Sequence, residues 1–327
     1  MSVPLIETRN LKKFFSTPRG ELHAVDDVNF KVQRGQTIGV VGESGCGKST
    51  LGRVILRLIP HTSGQILYNG EDILQYNSAQ MKAMRQKMQM IFQDPYASLN
   101  PRMTVKQIIE EPIKVCKTLQ SRSEIDEKVE SLMRTVGLAK RFDNTYPHEL
   151  DGGRRQRIGV ARALAVDPEF IVCDEPVSAL DVSIQAQILN LLMDLQEDRG
   201  LTYLFITHDL SVVKHISTNI MVMYLGQCVE YAPTAELFEK PLHPYTNALL
   251  AAIPIPSIAP EHRMKNVVKG EVTSPIEPPP GCRFAARCPH ASDACRGHDI
   301  PLREVSPHHF VACELFGEAH TEGEKDE

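Results

Sequence analysis

From residue 3 to residue 40 apolar and polar positions alternate, with breaks at TPRGE and QRGQ, and this period of two predicts β-strands joined by turns. QTIGVVG is apolar up to a glycine-rich run, so it reads as a buried strand, and KSTLGRVILRLI follows it with helical spacing. GQILYNGEDIL returns to strand around an Asn-Gly turn. From about Pro101 to Leu164 the pattern is helical and charged, which predicts a helical insertion (about 95–164) between two halves of an α/β core. EFIVCDEP, LTYLFITHD and NIMVMYLGQCVEYA then supply apolar strands, with a helix across SIQAQILNLLMDLQED. Alternating strands and helices predict a largely parallel, helix-covered sheet.

The pattern changes after HPYTNALLAAI. PIPSIAP and SPIEPPPG cannot continue a helix, so the expected division is a main domain over 1–252, a proline-rich linker over 253–281, a small cysteine-bearing module over 282–316 and a disordered tail over 317–327. Hydrophobic residues make up 42% of the 327 positions, enough for a substantial core. The net charge of −5 argues against a dedicated nucleic-acid binder. The opening MSVPLIETRNLKKFF is too poor in apolar residues for a signal peptide, and no run approaches the roughly 20 residues of a membrane span. A cytoplasmic chain is expected, reaching a membrane only through partners.

Gly42-x-x-x-x-Gly47-Lys48-Ser49 lies between the predicted strand and helix, the context a phosphate-binding loop requires. Gly45 and Gly47 let backbone N–H groups turn toward phosphate oxygens, and the helix adds its positive end. Lys48 is expected to reach the β- and γ-phosphates of a nucleoside triphosphate, Ser49 to ligate Mg²⁺ and Thr50 to add a phosphate contact. Asp174 and Glu175 end an apolar strand: one carboxylate suits Mg²⁺, the other an attacking water. His208 ends the next strand, placed to sense the γ-phosphate, and Gln93 follows an apolar strand in MIFQDP.

Cys282, Cys288, Cys295 and Cys313 cluster near the end, whereas Cys46, Cys116, Cys173 and Cys228 are scattered. In a cytosolic chain such a cluster points to metal or redox chemistry before disulfides. The spacing lacks a tight zinc knuckle, so an iron–sulfur cluster, zinc and metal-free thiols all stay open. His290, His308 and His309 read as solvated.

These segments, in this order, resemble the ATP-binding subunits of ABC transporters: the P-loop, FQDP, GGRRQRIGVARAL, CDEPVSALD and THD, covering about Leu5 to Ala252. GESGCGKSTLGR, QDPYASLNPRMTV, HPYTNALL and SPIEPPPGCRFAARCPHA narrow the likeness to dipeptide and oligopeptide importer ATPases, nearest the second ATPase subunit of dipeptide importers; nickel importers share much of it. The resemblance implies a P-loop NTPase fold with a RecA-like parallel sheet core, an antiparallel β subdomain and a helical insertion, beside the cysteine module. It implies that Gln93 forms the Q-loop and joins Ser49 and Asp174 at Mg²⁺, that Ser178–Asp181 forms the D-loop, that His208 is the H-switch and that Phe15, rather than Phe14, stacks on adenine. Glu43, Ser44 and Cys46 complete the nucleotide loop. The cysteines are implied to hold a [4Fe–4S] cluster, with zinc the alternative. Implied partners are a second ATPase subunit in a heterodimer, two integral membrane permease subunits and, indirectly, a substrate-binding protein, at the cytoplasmic face of the membrane. The alternative functions are nickel import or a soluble, non-transport ABC ATPase.

One departure matters. The family signature reads Leu-Ser-Gly-Gly-Gln, and this chain has Leu150-Asp151-Gly152-Gly153-Arg154. The signature serine of one subunit reaches the γ-phosphate on the other, so Asp151 would set a carboxylate against a polyanion. At about 4 Å that repulsion is roughly 4 kcal/mol for an effective dielectric near 20. Arg154 could offset part of it by swinging toward the phosphate, and Asp151 also suits a helix N-cap. On this reading the cysteine segment stands apart from a distant P-loop, and ATP binding survives its loss.

Overall fold

The period-two alternation becomes β1 (Ile6–Thr17) and β2 (Gly20–Val32), and the apolar run before the glycine loop becomes β3 (Thr37–Val41), buried at every position. The structure is a computed structural model that describes residues 3–253 and 273–317. Most of the expected linker (254–272) and nearly all of the expected tail (318–327) lie outside the described residues. The chain divides into two units, one built on Leu67–Ile206 with the stretch up to Ile6 and Val32–Thr37, the other on Glu7–Lys31, Ile38–Ile66 and the chain from Thr207 on.

In the first unit β4 (Ser63–Tyr68) delivers its last residues to β5 (Glu71–Asp72) across an Asn69-Gly70 turn, both turn residues having positive φ, as the Asn-Gly signal predicts. β6 (Met88–Ile91), β7 (Phe170–Asp174) and β8 (Thr202–Ile206) run parallel, with Met88 opposite Phe170 and Asp174 opposite Ile206. β7 and β8 are buried throughout, which explains their unbroken apolar sequences. Between β6 and β7 the helices Val105–Cys116 and Arg122–Thr135 pack on Gly152–Leu164. Reciprocal capping boxes at Thr104/Gln107 and Ser121/Glu124 start the first two. Val182–Arg199 follows β7 as the predicted long helix.

In the second unit β3 pairs in parallel with β9 (Asn219–Tyr224), Ile38 facing Asn219. β10 (Gln227–Pro233) then folds back antiparallel on β9 around Leu225 and Gly226, with φ of 43° and 87°. NIMVMYLGQCVEYA is therefore a hairpin, and its turn was hidden because an apolar leucine occupies a left-handed position. β11 (Arg303–Ser306) and β12 (His309–Val311) continue this antiparallel run, β12 pairing with β10. The expectation of a largely parallel arrangement thus holds for β6–β8 and β3–β9 and fails from β10 onward. His309 is also corrected: it is fully buried, not solvated.

The nucleotide site and its surroundings

β3 ends at the glycine loop, and the helix Lys48–Ile55 begins at Lys48, with Gly47 as its N-cap at φ 105°. Two glycines are required by close approach: a Cβ on Gly42 would lie 2.1 Å from the Met223 carbonyl oxygen, and one on Gly47 1.9 Å from that of Ala24. Lys48 is only 5% exposed, and its ammonium donates to the carbonyls of Gly42 (2.8 Å) and Glu43 (3.0 Å). A buried cation held by neutral oxygens inside a glycine cradle fits a polyphosphate. Thr207 donates its N–H to the Val40 carbonyl at 3.1 Å, which sets the exposed His208 beside the end of β3 in the same unit. Phe14 stacks face to face on His23 at 3.8 Å, while Phe15 is 38% exposed under the Lys13 ammonium, so Phe15 is the ring available to a base.

The other unit carries the acids. Asp174 ends β7 fully buried, a carboxylate whose burial suits a cation. Glu175 follows at φ 46°, a strained left-handed conformation for a non-glycine residue, with its N–H fixed on the Ile206 carbonyl at 2.9 Å. Gln93 donates to Glu175 Oε2 at 2.8 Å, so the amide after β6 and the acid after β7 are in contact. Asp151 caps Gly152–Leu164, its Oδ1 accepting the Arg154 N–H at 2.8 Å, while the Arg154 guanidinium pairs with its Oδ2 and stacks over Phe142. Arg154 is therefore committed to Asp151 rather than swung away from it. Asp181 stands exposed as the N-cap residue of Val182–Arg199, and Ser178 donates to the Glu175 carbonyl.

The cysteine segment lies against the P-loop, which overturns the expectation of a distant module. Arg287 donates from both guanidinium nitrogens to the Glu43 carboxylate, at 2.9 and 3.0 Å, and Tyr245 receives the Glu43 N–H at 2.8 Å. Arg283 bonds the Leu225 carbonyl and the Asp26 carboxylate. Burial alone would raise the Asp26 pKa, but His23, Arg283 and Lys12 hold it below the usual carboxylate range. Sequence reasoning missed Arg283, Arg287 and the role of Tyr245. The only signal was their place inside CRFAARC and HPYTNALL.

The cysteines are neighbours: Cys282 donates its N–H to the Cys295 carbonyl at 2.9 Å, and Cys288 and Cys295 both add repulsion at Cys282. Burial pushes the thiols of Cys282 and Cys313 up to about 11, and the other three raise Cys313 further. The donor chemistry suits a metal cluster. As placed, however, no group of three or more His, Cys, Asp or Glu among the described residues is arranged to hold a metal ion.

Residues 25–178 match the ABC transporter family, and residues 229–295 match the oligopeptide/dipeptide transporter C-terminal region. The putative oligopeptide transport ATP-binding protein YkfD of Bacillus subtilis is 50% identical over 321 residues, covering 98% of each chain. The oligopeptide transport ATP-binding protein OppF of the same organism is 52% identical over 314 residues, 96% of this chain and 97% of its own. Among solved structures, the dimeric ATP-binding cassette MJ0796 bound to ADP and Pi superposes with a TM-score of 0.65 at 27% identity, over 70% of this chain and 98% of its own. With these matches, the glycine cradle and its buried lysine belong to an ATP-hydrolysing cassette of the P-loop class. Its full-length likenesses go further: the chain belongs to the oligopeptide/dipeptide ATP-binding subunits of ABC transporters.

Proposed function

We propose that this chain powers the import of oligopeptides or dipeptides through membrane permease partners at the cytoplasmic face of the membrane. The observation that carries this is the Gln93–Glu175 hydrogen bond, which ties the acid suited to polarising the attacking water to the loop leading into PYASLNPRMTV, the stretch we assign to the permease contact. Lys48, Thr50 and His208 would hold the phosphates, Ser49, Gln93 and Asp174 would serve Mg²⁺, and Phe15 would stack on the adenine. Two permease subunits and a substrate-binding protein complete the importer. Membership of a full-length family of oligopeptide transport ATPases supports the substrate class. The test is Glu175→Gln in the intact transporter. Peptide-coupled hydrolysis should stop and ATP should stay trapped; normal turnover would overturn the assignment.

The signature and the cysteines refine this reading. The partner ATPase is a different chain, with a sound signature that completes the site on this chain's P-loop, because Asp151 and Arg154 replace the serine and glutamine here. Cys282, Cys288, Cys295 and Cys313 hold a [4Fe–4S] cluster that secures the C-terminal segment. Their grouping near the chain's end and the bond from the Cys282 N–H to the Cys295 carbonyl support this.

A further inference from the structure

Glu43 is gripped at each of its polar groups. Its N–H donates to the Tyr245 hydroxyl at 2.8 Å, its carbonyl accepts from the Lys48 ammonium at 3.0 Å, and its carboxylate takes both arms of Arg287. The Arg287 side chain is 7% exposed and that of Glu43 29%, so the ion pair is partly desolvated and bidentate, the geometry in which such pairs are strongest. Arg287 is also fixed from behind, its Nη1 lying 3.3 Å from the Tyr224 hydroxyl in an aromatic cluster where Tyr224, Tyr245 and Phe284 meet with centroids 4.7 to 5.3 Å apart. A second contact from the same segment acts on the far side of the loop. Arg283 bonds the Leu225 carbonyl, and the next residue, Gly226, donates its N–H to the Cys46 carbonyl at 2.8 Å. The segment Cys282–Cys288 therefore touches the phosphate loop at Glu43 and reaches Cys46 only indirectly, through Leu225 and Gly226.

We propose that Arg287 is a positioning residue for ATP binding: by clamping Glu43 it holds the P-loop carbonyls on Lys48 and the loop amides in phosphate-receiving shape, so nucleotide affinity depends on the docked cysteine segment. Lys48 and Glu43 move together because the ammonium bonds the Glu43 carbonyl. Releasing the carboxylate frees the peptide that orients the lysine. The effect belongs to binding before chemistry, since Arg287 acts on the loop through Glu43. The proposal rests on the reading of residues 42–50 as the nucleotide loop.

The test measures MgATP affinity and, in the intact transporter, KM and kcat, for Arg287→Ala, Glu43→Gln, their double variant and the swap Arg287→Glu with Glu43→Arg. Each single change should weaken ATP binding roughly tenfold, with kcat at saturating ATP changing far less. The double variant should be no worse than either single one, and the swap should recover part of the affinity, non-additivity that a merely structural loss does not produce. Glu43→Gln leaves the segment's own residues intact, so the question is still decided if Arg287→Ala misfolds. Affinity within twofold of the native chain for Glu43→Gln would overturn the proposal. So would strictly additive losses in the double variant. Should Glu175→Gln leave turnover normal while these affinities still fall as stated, the reading of Glu175 fails and the clamp stands.

Discussion

At the scale of single residues, the Asp151–Arg154 pair decides what the altered signature does. Asp151 spends one oxygen on the helix cap and the other on Arg154, which also stacks on Phe142. The carboxylate is thus partly neutralised within its own turn, so Arg154→Gln alone should expose it and lower ATP-dependent dimerisation. Asp151→Ser with Arg154→Gln should raise hydrolysis at the proposed site that the partner ATPase's P-loop would share; removing about 1.4 kcal/mol of repulsion from the barrier would be a tenfold gain. Hydrolysis rates of the two variants beside the native transporter check this. Equal rates in all three would reduce Asp151 to a cap. This pair was half legible in the sequence: a cap and an offsetting charge three residues apart follow from helix geometry, but whether Arg154 turns to Asp151 or toward a phosphate does not. The P-loop, Asp174-Glu175 and His208 could be proposed from the sequence because each motif is contiguous and carries its own strand context, which the structure shows as strands β3, β7 and β8. Arg287 and Glu43 lie 244 positions apart, and no local pattern joins them.

At the scale of elements, the β11–β12 hairpin is anchored by buried charge. Glu230 on β10 is fully buried and accepts from the Leu242 N–H (2.8 Å), the His243 N–H (2.9 Å) and His309 Nε2 (2.7 Å) on β12. Glu236, in the helix Thr234–Glu239, meets the other His309 nitrogen at 3.1 Å and also receives the Ser306 hydroxyl. Burial alone would lower the His309 pKa, but hydrogen bonds to Glu230 and Glu236 outweigh it and raise the value above the usual 6.5. A raised histidine pKa stabilises the fold fully below the unfolded value and ceases to do so as pH climbs through the folded one. The thermal midpoint should therefore fall from pH 6.5 upward, and His309→Gln should flatten that fall. His243, beside Glu230, titrates elsewhere, because burial pulls it down to about 4. Glu230→Ala should cost about 3 kcal/mol by stranding its buried partners, read by chemical denaturation; a loss near zero would show the hairpin held by strand pairing alone. The sequence showed Glu230 and His309 as ordinary polar residues, since their burial arises only when β12 comes to lie on β10.

At the scale of the whole chain, the contact between its end and its nucleotide loop changes what loss of the cysteines should do. The proposed [4Fe–4S] cluster predicts that anaerobically purified protein is brown, absorbs near 400 nm as such clusters generally do, and contains iron and sulfide. Replacing Cys282, Cys288, Cys295 or Cys313 by Ser should remove the colour, and replacing Cys46, Cys116, Cys173 or Cys228 should not. Cys46 sits inside the P-loop, so its effect on ATP must be read apart from its effect on colour. Had the segment stood clear of the P-loop, ATP affinity would have survived the four changes. With Arg287 immediately before Cys288 and Arg283 immediately after Cys282, an undocked segment releases both arginines, and affinity should fall toward that of Arg287→Ala. Combining a cysteine replacement with Arg287→Ala should then add little further loss. Stoichiometric zinc without iron would replace the cluster and keep its ligands. Cysteine variants that lose the colour but bind ATP as the native chain does would show that the arginines stay docked without it, and would assign the grip on Glu43 to the Tyr224–Tyr245–Phe284 packing beneath them.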